Sequence, residues 1–232
     1  EGLEKETGQA TGFKQNGSVS VATFAVGVNW LVSREIAFEP QMTIFLAVME
    51  VPAIVVGIVL ARGIGRRTDW GALAHEAFLG KGVTLLLGGM AIGWAAGPEG
   101  LAPVKGFFYE LFKGALALFL LEMGLIVSRQ VGELRRSGMA LLGFGLLMPL
   151  LSAGLGLGCG LLLGLSTGGL TLLATLAASA SYIAVPAAMR LAVPEARPAL
   201  SLAAVLGVTF PLNILAGIPL YHRLALQLTG TG

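Results

Sequence analysis

The sequence predicts an all-α protein that crosses a membrane several times, and three observations support this. Of its 232 residues, 55% are hydrophobic and only 12% are charged, with a mean hydropathy of +0.82. Soluble domains carry about 25% charged residues, so this composition argues against a soluble enzyme, a soluble binding module or a disordered chain. Residues 137–189 contain no charged residue. As a helix they would span roughly 80 Å, and because the hydrocarbon core is about 30 Å thick, this stretch must cross twice. The 34 glycines favour closely packed helices.

The chain divides into a polar N-terminal segment, one short helix and six longer apolar spans. Residues 1–16 are polar and follow no helical period, whereas residues 17–32 are apolar after a Gly/Ser pair and predict a helix. Each later span is a mainly apolar run bounded by charged or turn-forming residues. These spans, named A to F, are predicted at residues 42–60, 82–96, 107–128, 139–164, 168–189 and 199–221.

Three features punctuate the last three spans. Pro149 predicts a kink in span D, and the turn between spans D and E is predicted at residues 165–169. Span E is interrupted by Ser-Ala-Ser at residues 179–181, and span F by Thr-Phe-Pro at residues 209–211. We therefore predict helices that are broken inside the membrane.

Basic residues are distributed unevenly between the loops. If all six spans cross, the A–B, C–D and E–F loops carry nine Lys and Arg residues, against three on the opposite side. Positive residues are retained in the cytoplasm, so these loops are predicted to be cytoplasmic and the C-terminus to lie outside. The count requires span E to cross the membrane despite its interruption.

Two similar pairs of interruptions indicate an internal repeat. The pairs are Ser18 and Ser20 followed by residues 50–52, and Ser179 and Ser181 followed by residues 209–211. In the predicted topology the helix at residues 17–32 runs outward and span E runs inward, so the two copies are antiparallel. Interrupted segments at corresponding places of two inverted halves point to the binding site of a secondary transporter.

The residue types at these interruptions suit ions. Unpaired backbone groups are not tolerated in lipid, so each break must face protein, water or ligand. Two half-helix N-termini that meet at mid-membrane offer free N–H groups and positive dipole ends, which together with serine hydroxyls favour a small anion. Freed carbonyls and hydroxyls are oxygen ligands for a hard cation such as Na⁺. The alternative interpretation of the serines is tight helix packing.

Two acidic residues lie inside apolar spans. Glu50 in span A and Glu122 in span C each cost about 2.5 kcal/mol or more in the membrane, so both are functional candidates. Glu50 precedes Pro52, which leaves a carbonyl free one turn earlier, and the pair can ligate a cation or carry a proton. Asn213, two residues after Pro211, is an amide candidate at the second interruption. A structural hydrogen bond to a neighbouring helix is the alternative for all three.

Five segments form a distinctive set. They are GSVSVATF (17–24), AVMEVPAIVVGIVLAR (47–62), LFKGALALFLLEMGLIVSR (111–129), LAASASYIAVPAAMRLAVPEARP (176–198) and LGVTFPLNILAGIPLY (206–221). Together they resemble the sodium-dependent bicarbonate transporter family, best known from cyanobacteria. The resemblance implies ten crossings arranged as two inverted five-helix halves, the first incomplete here. Residues 1–16 then fall outside the match, residues 17–62 end the first repeat, residues 63–80 form a cytoplasmic loop and residues 81–232 form the second repeat.

The resemblance also implies an activity and a set of sites. The family imports bicarbonate in symport with Na⁺ across the cell inner (cytoplasmic) membrane, so this chain is expected to be a multi-pass carrier and no enzyme. Na⁺ is the coupling ion, and no organic cofactor is expected. Bicarbonate-binding residues are then Ser18, Ser20, Ser179 and Ser181, and Na⁺-binding residues are Glu50, Thr209 and Asn213. Tyr182 stands where the cyanobacterial pattern has an acidic residue.

Expected partners are bicarbonate, Na⁺ and membrane lipid, without nucleic acid. We also expect a homo-oligomer, with a trimer as first candidate, and a PII-like regulator on the cytoplasmic face. Three alternatives remain open at this point: a Na⁺-coupled carrier of another small organic anion, an anion channel, and a non-transporting fragment of such a carrier. An intramembrane enzyme is disfavoured because the spans contain no acid pair, no HExxH motif and no Ser/His combination.

Overall fold

In a computed structural model of the chain, the described residues are 19–49, 81–136, 138–180 and 204–230, with the single positions 52, 71 and 75. All regular elements among them are helices, which confirms the predicted all-α class. We number the helices α1 to α6 in chain order, leaving unnumbered the helical residues 42–49. They are α1 (Val21–Val32), α2 (Lys81–Leu101), α3 (Leu111–Arg136), α4 (Gly138–Leu162), α5 (Thr167–Ala178) and α6 (Val205–Thr229).

Two short helices, α1 and α5, have the same length and the same kind of start. Each has 12 residues, about 18 Å at 1.5 Å per residue, which is roughly half a crossing. The hydroxyl of Ser20 accepts a hydrogen bond from the Thr23 N–H at the start of α1, and Ser166 accepts one from Gly169 at the start of α5. These N-caps explain why the helices begin there. Helix α5 ends at Ser179, which is extended, so the predicted break in span E is confirmed.

Three longer segments are long and apolar enough to cross a membrane. They are Gly106–Arg129, Leu142–Leu162 and Val205–Thr229, and they correspond to predicted spans C, D and F. Span B is the helix α2, which bends at Gly97 (φ 62°) because Pro98 follows; it is not among the three. Between α2 and α3 the chain makes a short 3₁₀ turn, Ala102–Val104, and a wide turn, Gly106–Glu110.

The prediction that the helix of span F is broken at residues 209–211 is wrong. Residues on both sides of Pro211 keep helical dihedral angles, and α6 continues to Thr229 rather than ending at Tyr221. Two wide π turns, Val205–Thr209 and Asn213–Gly217, flank the proline. Such turns change the hydrogen-bond register, which accommodates the missing proline N–H without unwinding the backbone. In lipid this costs less than an open break.

Helix α4 packs closely against α5 through two glycines. A Cβ atom at Gly156 would lie 3.0 Å from the Ala174 Cα and the Leu173 carbonyl oxygen, and one at Gly160 would lie 2.6 Å from Leu170. The spacing of Gly156, Gly160 and Gly164, each four positions apart, predicts one close-packing face, within the protomer or between protomers. For Gly156 and Gly160 the face is a contact within the protomer. Gly164 does not share it: with φ 68° it forms the turn after α4, and no described residue lies near its Cβ position.

Helices α1 and α5 run antiparallel. Ser20 at the start of α1 bonds to Ser179 at the end of α5, and Gly27 in the middle of α1 faces Leu172 and Thr175. The loop after α1 then reaches the start of α5, where the Glu39 carboxylate accepts hydrogen bonds from the Ser166 N–H and hydroxyl. The loop 33–41 and the turn before α5 thus lie on the same side of the protein, as the predicted topology requires.

Candidate functional site

The two serine interruptions meet. The backbone N–H of Ser20 donates a hydrogen bond to the hydroxyl oxygen of Ser179 at 2.8 Å, although the residues are 159 positions apart. Both side chains are buried, with 3% and 1% exposure. The contact joins the first residue before α1 to the first residue after α5. Two of the four predicted bicarbonate-binding serines are therefore neighbours, while Ser18 and Ser181 lie outside the described residues.

The serine hydroxyls already serve the helix ends. Ser179 donates to the Leu176 carbonyl at 2.8 Å, so its oxygen accepts from Ser20 and its proton caps α5. At α1 the first bond within the helix runs from Phe24 N–H to the Ser20 carbonyl at 3.0 Å. The N–H groups of Val21 and Ala22 precede it, and such groups have no acceptor within a helix. These donors, with the positive end of α1, are what the site offers an anion.

The meeting of helix ends differs from the sequence prediction in one respect. We predicted two half-helix N-termini, whereas the described residues bring together the N-terminus of α1 and the C-terminus of α5. The segment after Ser181 lies outside the described residues. The opposite dipole ends attract each other, and this favours the observed contact.

Asn213 lies at the same junction. Its side-chain N–H donates to the carbonyl of Ala178, the last residue of α5, at 2.9 Å, and its oxygen accepts from the Tyr221 hydroxyl at 2.7 Å. Asn213 is 0% exposed. The last carbonyls of a helix lack partners inside it, so Asn213 satisfies one of them at the depth of the break. The predicted cation ligand is thus also a connection between α6 and α5.

Thr209 lies one turn before Asn213 and contacts a different helix. Its hydroxyl donates to the Gly145 carbonyl of α4 at 3.1 Å, and the side chain is buried. Because a hydroxyl has one proton and two lone pairs, the Thr209 oxygen keeps acceptor capacity for a cation. Glu50, the third predicted cation ligand, lies outside the described residues. Glu122 is exposed on α3 and is not part of this junction.

Several buried polar residues around the junction were not predicted from the sequence as site residues. Thr23 on α1 and Thr175 on α5 are buried, and Tyr221 on α6 is completely buried. Helical spacing contains a signal for the threonines, since Thr171 and Thr175 lie four positions apart and each hydroxyl bonds to the carbonyl four residues earlier. Tyr221 carries no such signal, because its partner is eight positions away.

His222 directly follows the predicted span F, and its position predicts a solvated loop residue, which is wrong. His222 is a part-buried residue of α6, with its Nδ1 atom 3.2 Å from the Thr171 hydroxyl and its ring edge-on to Trp30. The Thr171 hydroxyl can donate its proton to the Thr167 carbonyl at 2.7 Å. When it does so, its oxygen accepts from His222, and this arrangement requires the tautomer with the proton on Nδ1. Packing of α6 against α5 and α1 explains the burial.

Comparison with known proteins agrees with the resemblance found in the sequence. The chain matches the Na⁺-dependent bicarbonate transporter superfamily over residues 4–226. The matched range includes residues 4–16 of the polar N-terminal segment, which the resemblance alone did not cover. No curated protein matches the chain. Because the matched range covers nearly the whole sequence and includes all or most of each of the six numbered helices, the chain belongs to the Na⁺-dependent bicarbonate transporter superfamily.

Proposed function

We propose that the protein imports bicarbonate across the cytoplasmic membrane in symport with Na⁺. The observation that carries the proposal is the contact between Ser20 and Ser179, which joins two interrupted helices from distant parts of the chain. Interrupted helices that meet inside the membrane are the usual construction of a substrate site in secondary transporters. Family membership supports the coupling ion and the substrate.

The anion would bind at the start of α1. Bicarbonate carries one negative charge and several acceptor oxygens, which suit the first-turn N–H groups of α1 and the positive end of its dipole. The polar side chains placed at the junction are the uncharged Ser20, Thr23, Thr175, Ser179 and Asn213. Among the described residues the junction has small hydroxyls and no buried basic side chain, and this favours a small anion over a larger organic acid. Ser18 and Ser181 complete the proposed set.

Na⁺ would bind close to the anion, at Thr209, Asn213 and Glu50. Thr209 and Asn213 lie four positions apart on α6. The Thr209 hydroxyl uses its proton on Gly145 and the Asn213 amide oxygen uses one lone pair on Tyr221, so each oxygen has a further lone pair for a cation. Hard cations prefer such oxygen ligands. Co-binding of Na⁺ also offsets the membrane potential, which opposes import of a lone anion by about 2.3 kcal/mol per charge per 100 mV.

Lipid and a second copy of the chain are the proposed neighbours of α2 and α3. Large apolar side chains on these helices are exposed, for example Leu85 (76%) and Trp94 (89%) on α2. We retain the homo-oligomer as part of the proposal. A PII-like regulator would dock on the proposed cytoplasmic loop 63–80, of which only positions 71 and 75 are among the described residues.

Uptake of labelled bicarbonate into proteoliposomes tests the proposed function. The full chain is reconstituted, and uptake is measured with an inward Na⁺ gradient and with choline in place of Na⁺. We expect accumulation only with Na⁺. Equal uptake with choline would indicate a channel. Na⁺-dependent uptake of an organic acid without bicarbonate uptake would indicate a Na⁺-coupled carrier of organic anions.

Glu50→Gln is expected to weaken the apparent Na⁺ affinity. The substitution keeps the size of the side chain and one oxygen but removes the charge, so we expect a loss of about tenfold, or about 1.4 kcal/mol. The apparent bicarbonate affinity at saturating Na⁺ should change much less. Both affinities are measured from initial uptake rates. An unchanged Na⁺ dependence would make Glu50 a structural acid and leave the cation with Thr209 and Asn213.

The C-terminus is expected to face the outside. The uneven distribution of basic residues requires it, and the hydrogen bonds from Ser166 to Glu39 support the same topology. A C-terminal tag should be cleaved by protease added to intact cells. A tag that becomes accessible only after permeabilisation would contradict the assignment.

A further inference from the structure

Tyr221 begins a series of hydrogen bonds that connects three helices. Its hydroxyl on α6 donates to the Asn213 oxygen at 2.7 Å, and Asn213 donates to the Ala178 carbonyl of α5 at 2.9 Å. The next residue, Ser179, accepts from the Ser20 N–H before α1 at 2.8 Å. We call these bonds the Tyr221 relay. Its polar side chains are at most 3% exposed.

Only one orientation of the Asn213 amide satisfies the relay. A backbone carbonyl accepts hydrogen bonds and never donates them, so the NH₂ group of Asn213 must face Ala178. The amide oxygen must then face Tyr221, whose hydroxyl supplies the proton. The Ala178 carbonyl selects which end of the amide faces α5, and the Tyr221 hydroxyl supplies the proton donor that holds the buried oxygen in place. Tyr221 thereby helps to fix where the oxygen of the proposed cation ligand lies.

The backbone leaves room for this arrangement at one glycine. A Cβ atom at Gly217 would lie 2.9 Å from the Asn213 amide oxygen and 3.0 Å from the Tyr221 hydroxyl oxygen. A side chain at this position would push directly on the bond between them. Gly217 also belongs to the wide turn Asn213–Gly217, which brings the two polar side chains onto one face of α6.

We propose that Tyr221 is a positioning residue for the ion site: it holds the Asn213 amide oxygen in place, and through Asn213 it holds the end of α5 at the break. This rests on the proposed function, because it assigns Asn213 to the cation site. Tyr221 itself need not touch Na⁺ or bicarbonate. The role predicts an effect on ion affinity, whereas a purely structural tyrosine would lower the amount of folded protein and leave affinity unchanged.

Tyr221→Phe tests the proposal because it removes one oxygen and keeps the ring. We expect the Na⁺ concentration for half-maximal bicarbonate uptake to rise about tenfold, since a buried acceptor loses its donor. The maximal rate per inserted protein should fall much less. Tyr109→Phe is the matched control, since it makes the same change in the turn Gly106–Glu110, an element outside the relay. Gly217→Ala should reproduce the Tyr221→Phe result.

A second measurement covers a variant that no longer transports. Na⁺ should raise the thermal unfolding midpoint of the purified protein, and this rise should shrink in Tyr221→Phe and stay unchanged in Tyr109→Phe. A wild-type Na⁺ dependence in both measurements for Tyr221→Phe would overturn the positioning role and leave the proposed function intact. Absence of Na⁺-dependent uptake in the wild type would instead overturn the proposed function, and the positioning role with it.

Discussion

Ser179→Ala is expected to reduce Na⁺-dependent bicarbonate uptake at least about tenfold while leaving insertion into the membrane intact. The hydroxyl makes two buried bonds, from Ser20 N–H at 2.8 Å and to the Leu176 carbonyl at 2.8 Å. Removing it leaves the buried Ser20 N–H without its acceptor, at about 1–3 kcal/mol, whereas the Leu176 carbonyl keeps its bond from the Ser179 backbone N–H at 3.1 Å. The affected groups are those that hold α1 and α5 together at the proposed anion site, so the loss should appear in transport.

Ser128→Ala is the matched control. The Ser128 hydroxyl bonds to the carbonyl three residues earlier, Leu125, at 2.7 Å, as Ser179 bonds to Leu176. Ser128 is exposed on α3, and within the described part of the chain it has no bond to another helix. Uptake by this variant should match the wild type. The additional substitution Ser181→Ala tests the proposed second serine. If the Ser179→Ala/Ser181→Ala double variant is inserted in the membrane and shows normal uptake, these serines serve helix packing only.

Gly156→Ala is expected to destabilise the protein by about 1–3 kcal/mol. The new methyl group would lie 2.9 Å from the Ala177 Cβ and 3.0 Å from backbone atoms of Leu173 and Ala174, so α4 and α5 must separate. Backbone atoms cannot rotate away as the end of a flexible side chain can. The shift would be transmitted along α5 to Ser179, and uptake should fall together with stability.

Gly158→Ala separates this effect from the general consequences of adding a methyl group to α4. No atom of the described residues lies within 4 Å of its Cβ position, and alanine favours helix more than glycine. Thermal unfolding of the purified protein should show a lower midpoint for Gly156→Ala and an equal or higher one for Gly158→Ala. Equal midpoints for the two variants would mean that the contact between α4 and α5 is not tight in the membrane.

Local chemistry made part of the fold and the site predictable. The low charge and the uncharged stretch 137–189 predict membrane helices, because charged groups are costly in lipid. The break at residues 179–181 and the helix start after Ser20 were predicted from small polar residues that compete for backbone hydrogen bonds, and both are present. Family resemblance, carried by five segments, was confirmed by the match over residues 4–226.

The sequence could not predict which groups meet. Ser20 and Ser179 are 159 positions apart, and only the antiparallel packing of α1 on α5 brings them within a hydrogen bond. Asn213 was predicted as a cation ligand, but its bonds to Tyr221 and Ala178 depend on how α6 crosses α5. Such contacts follow from side-chain packing over long sequence distances, whereas propensity acts over only a few residues.

The sequence by itself determined the membrane class, the positions of the helix starts and the break after α5, since these depend on neighbouring residues and on the cost of charge in lipid. Only the tertiary structure decided that α6 continues through Pro211, that Gly164 forms a turn, and that one helix start and one helix end share the junction. The physical reason is common to all three. Inside a membrane every backbone polar group needs a partner, and which partner is available depends on the neighbouring helices.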